Sequence, residues 1–388
     1  MSIIVGQAVR NSDFWDRSDE LEDIWDAIES GSHILISAPR RVGKTSIMYK
    51  VLDEPKTNYI PVYIDTESAD SQNEFWQKLF HALMEEDFVN GLKNSAKTLW
   101  SKLKTIKITK ISATGVEFGD GEVLDYKEAF KRLIKGLDSD KKLIIMIDEF
   151  AQTIENIIKY EDEGIKSAIS LLKAHRELRQ DIKFSQKVTF IYAGSIGLES
   201  VVAKMDAIKH INDLNSIKIS PLSLSEAQEF TKQLFANNNI NVTHDAIIYL
   251  LDKIEWLIPF YIQLIAQEIK KLHRKEPKVT SQMIEQAIDN SLQHRQHFET
   301  WLSKIKTAFK NNDYLFAKEI LNTISENMSM ESRNIANIAA KHSLSDDDAK
   351  EIIHSLIYDG YINNNDNPRE YRFNSAILRM WWNKNVAN

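Results

Sequence analysis

Ile34-Leu35-Ile36-Ser37-Ala38-Pro39-Arg40-Arg41-Val42-Gly43-Lys44-Thr45-Ser46 reads as a buried strand, a tight loop and the start of a helix. Gly43-Lys44-Thr45 at the turn makes this a phosphate-binding loop. In such a loop backbone N–H groups point at phosphate oxygens, the Lys neutralises β/γ-phosphate charge, and the Thr hydroxyl reaches Mg²⁺. Residues Pro39 to Ser46 are therefore the candidate nucleotide cradle: Pro39, Arg40, Arg41, Val42, Gly43, Lys44, Thr45 and Ser46. The usual pattern begins with Gly, where this chain has Ala38. A methyl group there is tolerable only if the backbone keeps a negative φ. Ile47, Met48, Val51 and Leu52 follow at helical spacing and give the motif its expected context.

Such a loop needs a second strand that ends in carboxylates. Lys141-Lys142-Leu143-Ile144-Ile145-Met146-Ile147-Asp148-Glu149-Phe150 fits, its apolar run suiting a parallel strand buried on both faces. Acids at the C-terminal end of such a strand lie where ligands bind in open α/β sheets. Asp148 is the candidate for the Mg²⁺ shell, and Glu149 for the base that polarises the attacking water. A third strand, Val188 to Ala193, runs into Gly194-Ser195-Ile196-Gly197, and Tyr59 to Asp65 is a fourth. Strands alternating with helices predict an α/β fold with a doubly wound parallel sheet.

With these pieces placed, the chain resembles archaeal-type ATPases of the STAND branch of P-loop NTPases, relatives of AAA+ proteins. The resemblance rests on Phe14-Trp15-Asp16-Arg17-Ser18-Asp19-Glu20-Leu21, on residues 38–46, on Ile147-Asp148-Glu149-Phe150, on Ala193-Gly194-Ser195 and on Ile219 to Ala227. It implies ATP and Mg²⁺ as cofactors. It implies nucleotide contacts for Arg17, a γ-phosphate-sensing role for Ser195, and a helical lid over 221–300 after an ATPase core over 1–220. In the lid, Pro259 carries over as an adenine contact from a G-x-P element whose Gly is Leu257 here; Pro as a plain helix starter is the alternative. Arg176 and Arg179 stand where relatives that form rings place an arginine that reaches a neighbour's γ-phosphate, which is compatible with an oligomer. The alternative is a solvated helix face with a Glu–Arg pair. Asn212 and Asp213 receive no assignment.

Residues 301–388 read as a winged helix: helices over Tyr314–Ile324, Ser332–His342 and Ser345–Tyr358, then two short strands around a turn-rich loop. Its third helix begins Ser345-Asp346-Asp347-Asp348 and would repel phosphates, so the expected partner is a protein, with DNA contact through Arg369 and Arg372 as the alternative. Between about 90 and 116 lies a basic insertion with Lys93, Lys97, Lys102, Lys104, Lys107 and Lys110 around Trp100. It is either a solvated insertion or a track for a nucleic-acid backbone.

The net charge of −7 argues against a general nucleic-acid binder, and the absence of Cys excludes disulfides and thiolate metal sites. The ten His show no paired metal spacing, and no apolar run reaches a membrane span. The expected location is the cytoplasm. The expected function is a slow, Mg²⁺-dependent ATP-hydrolysing switch, with signalling or defence in a prokaryotic cell as its setting. The competing readings are a DNA-associated ATPase resembling origin-recognition initiators and a nucleotide-binding scaffold with little turnover.

Overall fold

A computed structural model describes residues 1–84, 108–112, 115–118, 125–137, 139–194, 197–365 and 367–387. Ten strands are described: β1 Ile34–Ser37, β2 Tyr59–Asp65, β3 Ile108–Ser112, β4 Gly115–Phe118, β5 Lys142–Asp148, β6 Val188–Ala193, β7 Asn215–Lys218, β8 Ser329–Glu331, β9 Ile362–Asn363 and β10 Glu370–Phe373. The chain divides into two compact units, Asp16–Ala38 with Lys44–Ile219, and Ser220–Asn388 with Met1–Trp15 and Pro39–Gly43.

The first unit is built on a five-stranded parallel sheet in the order β2-β5-β6-β1-β7. The central strands read as uninterrupted apolar runs because helices cover both faces: β6 and all but the first residue of β5 are buried. Helices Gln72–Ala82, Tyr126–Gly136 and Gly164–Gln180 supply apolar stripes that include Phe75, Phe130, Leu133, Leu171 and Leu178. The first two start where Ser71 and Asp125 accept from the N–H groups of Glu74 and Glu128. β6 lies between the loop-bearing strand β1 and the acid-bearing strand β5. Residues that meet from those two strands must therefore reach across a third.

Residues 93 to 107 of the basic insertion, with Trp100, lie outside the described residues. β3 and β4, toward the end of the insertion, pair antiparallel.

The second unit is mostly helical. Ser223 and Glu226 form a reciprocal capping box that starts the helix Leu224–Asn237, and Pro259 occupies the first turn of Pro259–His273. Toward the C-terminus, helices Asn311–Asn327, Arg333–Lys341 and Asp346–Tyr358 are followed by β9 and β10. The small sheet has a third strand that the sequence does not announce, β8, in the antiparallel order β8-β10-β9. Aromatic residues make this core: Trp301 packs edge-on to Tyr361 at 4.8 Å, Phe298 stacks on Trp381 at 5.4 Å, and the Tyr361 hydroxyl donates to the Trp301 carbonyl at 2.7 Å.

One division of the chain differs from the sequence reading. Residues 1–15 belong with the second unit instead of the sheet. The Ile4 N–H donates to Gln263 Oε1 at 2.6 Å, and Trp15 meets the edge of Phe230 at 5.3 Å. The same holds for 39–43.

Candidate nucleotide site

The chemistry is concentrated where β1 and β5 end. Thr45, in the first turn of helix Lys44–Asp53, donates its hydroxyl to Asp148 Oδ2 at 2.8 Å. The two motifs thus meet across the intervening strand β6. Tyr63 donates to the same Oδ2 at 3.0 Å, and the Glu149 N–H to Oδ1 at 3.0 Å. Burial, with the neighbouring Glu149 charge, raises the Asp148 pKa above its ordinary value, against the opposing pull of the Thr45 and Tyr63 hydrogen bonds. Burial first, and then Asp148, raises the Tyr63 phenol so that it stays a donor.

The Asp148 backbone is pinned as well. Its carbonyl accepts from the N–H of Thr66 at 3.1 Å and from the Thr66 hydroxyl at 2.9 Å. Thr153 in turn donates to the Thr66 carbonyl at 2.7 Å. Both threonines are fully buried. Glu149 is half-buried and left-handed, at φ 56°, where helix Phe150–Tyr160 begins. Such a conformation costs a non-glycine residue about 1–2 kcal/mol and marks a position held by its surroundings.

In the loop, Ala38 is not among the residues with positive φ, so its methyl group meets the condition the sequence set for it. The left-handed positions fall on Arg41, at φ 66°, and Gly43, at φ 110°. Alternation of this kind turns successive N–H groups toward one side, the nest that binds anions. Lys44 is buried, and its ammonium donates to the Ala38 carbonyl at 2.9 Å, folded across its own loop. Val42 is buried, Ser46 is buried, and Pro39 and Arg40 are half-buried.

Arg41 carries a side chain where the loop needs a glycine-like backbone. Its guanidinium carbon lies 4.0 Å from the centre of the Phe260 ring. A desolvated contact of this kind returns about 2 kcal/mol, comparable with the cost of the left-handed backbone. Burial lowers the Arg41 pKa, and its buried Nη1 has no hydrogen-bond partner among the described residues. The Phe260 ring is braced by Tyr261 at 5.3 Å and by the edge-on His297 at 5.5 Å. Pro39 lies close to Gly360: a side chain there, at φ 82°, would meet Trp256 Cη2 at 3.2 Å and Pro39 Cβ at 3.5 Å.

Asp148 and Thr45 together suit Mg²⁺, which takes oxygen ligands, one or two carboxylates from the protein and the rest from phosphate and water. A buried carboxylate with a raised pKa beside a hydroxyl is a place where a cation would be favoured. Among the described residues no cluster of three or more His, Asp or Glu forms a separate metal cage.

Arg179 requires a correction. It is neither on a solvated helix face nor extended toward a neighbour. Its side chain is 2% exposed and donates to both Asp213 oxygens at 2.8 Å, to the His210 carbonyl at 2.6 Å and to Tyr192 at 3.1 Å. With three nitrogens committed to its own chain, the group is a structural tie. Burial works to lower its pKa, and Tyr192 and Asp213 outweigh that, leaving it raised. Asp213, unassigned from the sequence, is its counter-ion. Arg176 is half-buried.

Arg17 is buried at the start of helix Ser18–Glu29, left-handed at φ 78°, and pairs with Glu20 at 2.7 Å. Pro259 starts its helix and places Phe260 beside it under Arg41. Ser195 lies outside the described residues. Tyr63, Thr66, Thr153, Asp213 and Phe260 are the site-region residues the sequence reading left without a role. Only Tyr63 had a readable signal, by its place in the strand beside the acid strand, in register with Met146.

A buried carboxylate and a loop hydroxyl that meet at the end of a parallel sheet are the arrangement of a P-loop nucleotide site. The chain belongs to the family described as an ATPase domain predominantly from Archaea, which matches residues 14–249. No curated protein matches the chain. Among solved structures it is similar to the Walker-type ATPase PABY2304 of Pyrococcus abyssi, with 15% identity and a TM-score of 0.67, covering 98% of this chain and 99% of that one. It is also similar to the Aeropyrum pernix ORC2 protein, solved as ADPNP–ADP complexes, with 9% identity and a TM-score of 0.54, covering 96% of each. At these identities the likeness is one of fold. Among the described residues, no helix is long and apolar enough to cross a membrane.

Proposed function

We propose that this chain is a Mg²⁺-dependent ATPase of slow turnover that works as a STAND-like switch. The observation that carries the reading is the Thr45–Asp148 contact of 2.8 Å, which joins the loop to the acid strand at one point. Lys44 would leave the Ala38 carbonyl for the β/γ-phosphates, a stronger, charged acceptor. Thr45 and Asp148 would hold Mg²⁺, which when bound supplies charge stabilisation at the phosphates. Glu149 would orient and deprotonate the attacking water.

In this reading 221–300 is a helical lid and 301–388 a winged helix that docks on protein. The second assignment is supported by the exposed Asp346, Asp347 and Asp348 at the start of the third helix, where Ser345 accepts from the Asp348 N–H at 3.2 Å. That helix start suits its own macrodipole and repels a phosphate backbone.

The test is phosphate release from ATP by the full chain, with and without Mg²⁺ and duplex DNA, beside Lys44→Ala. Release that needs Mg²⁺, disappears in Lys44→Ala and ignores DNA is the expected result. Stimulation by DNA would replace the protein-facing reading with an initiator-like one and bring in Arg369, Arg372 and the basic insertion. Nucleotide binding without release would leave a scaffold.

A further inference from the structure

We infer that Arg41 is a positioning residue whose stacking on Phe260 holds the loop in its anion-binding shape before any nucleotide arrives. The inference rests on the ATPase reading for its purpose, while its geometry stands without it. Three observations converge. Arg41 sits at a left-handed φ of 66°, which favours glycine, two residues before Gly43 at φ 110°. Its guanidinium lies 4.0 Å from the centre of the Phe260 ring. Its Nη1 is buried with no hydrogen bond among the described residues, where the ring face compensates the burial of this part of the charge.

Phe260 is well placed for the task. Pro259 fixes the first turn of its helix, and Tyr261 and His297 fill the space beside the ring. Pro39, near Trp256 and Gly360, gives the loop a second anchor in the same unit. A loop so held has less conformational freedom to lose when a phosphate binds, and pre-organisation appears as affinity. Arg41 therefore acts through its side chain on the backbone N–H groups around it. An arginine here makes the loop's shape depend on one aromatic ring, whereas a glycine would adopt that shape by itself.

That contrast gives the test, a double-mutant cycle in the full chain. Phe260→Leu keeps a buried apolar side chain and removes the ring face. Amide hydrogen exchange of residues 40–44 in nucleotide-free protein and titration with a fluorescent ADP are measured on wild type, Phe260→Leu, Arg41→Gly and the double variant, each checked for folding by circular dichroism. Phe260→Leu is expected to speed loop exchange and weaken ADP about five- to tenfold, on the scale of one cation–π contact. In the Arg41→Gly background the same substitution is expected to change both readouts by less than about twofold. Equal losses in both backgrounds would show that Phe260 merely supports the fold or touches the nucleotide, and would overturn the inference. So would unchanged loop exchange in Phe260→Leu. If the exchange pattern holds and no variant binds ADP, the loop-positioning role stands and the ATPase reading fails.

Discussion

The sheet unit buries two charged clusters, and they are settled in opposite ways. Around Arg179 the charges balance: both oxygens of Asp213, the Tyr192 hydroxyl and the His210 carbonyl are spent on one guanidinium. Around Asp148 the Thr45 and Tyr63 hydroxyls and the Glu149 N–H donate to the buried carboxylate, and burial with the Glu149 charge raises its pKa. A balanced cluster has little left to offer a ligand. A buried acid held by neutral donors with a raised pKa has a preference for a cation, and that difference separates a structural tie from a candidate site.

The largest expected effect lies on the Asp148 side. Glu149→Gln should reduce ATP turnover by about 10²–10⁴-fold, the usual weight of a general base, while ATP binding in an equilibrium titration stays within about threefold. Turnover that survives this change would remove Glu149 from the chemistry.

Next comes the Arg179 side. Asp213→Ala should cost about 3–5 kcal/mol in urea unfolding, because a buried guanidinium is left without its counter-ion. Adding Arg179→Met should recover part of that loss, since the uncompensated charge is then gone. Equal loss in the single and double variants would show that the pair contributes by packing alone.

The two sides also respond to pH with opposite signs. His33, buried near Arg179, accepts from the Phe190 N–H at 3.0 Å and has its pKa lowered, first by burial and then by Arg179, from 6.5 to about 4. Its contribution to stability is present above the unfolded value and lost as pH falls, about 3 kcal/mol between 6.5 and 4. His33→Gln should flatten that part of a stability–pH profile. Asp148 runs the other way. Its contribution is present below its ordinary value of 3.8 and is lost as pH rises through its raised folded value. At neutral pH, Asp148→Asn should therefore raise the melting temperature of the nucleotide-free protein by roughly 2 °C, the smallest of these effects, while abolishing Mg²⁺-dependent release. A fall in melting temperature would mean that the hydrogen bonds from Thr45 and Tyr63 outweigh the buried charge.

How much of this was legible beforehand follows the range of the interactions. That Thr45 and Asp148 are neighbours was legible because a phosphate loop and a strand-end acid are local patterns with fixed residue types, and the 2.8 Å contact joins them. The parallel sheet was readable because central strands buried on both faces lose their alternation, as β5 and β6 do. Arg179 was misread because helix spacing alone does not say what faces it. Its counter-ion lies 34 residues away, in a stretch with no motif. β8 was missed for a similar reason: a three-residue strand is defined by its partner β10 and has no periodicity of its own.

The sequence by itself determined the class of chemistry, since short-range rules place a Gly-Lys-Thr turn after one strand and an acid pair at the end of another. Tertiary structure alone decided which charges are committed and which are left wanting. It gave Asp213 to Arg179, set Tyr63, Thr66 and Thr153 around Asp148, and put Phe260 under Arg41. Those partners are distant in the chain, and what each is worth depends on burial, which raises the cost of an unpaired charge and the value of a paired one.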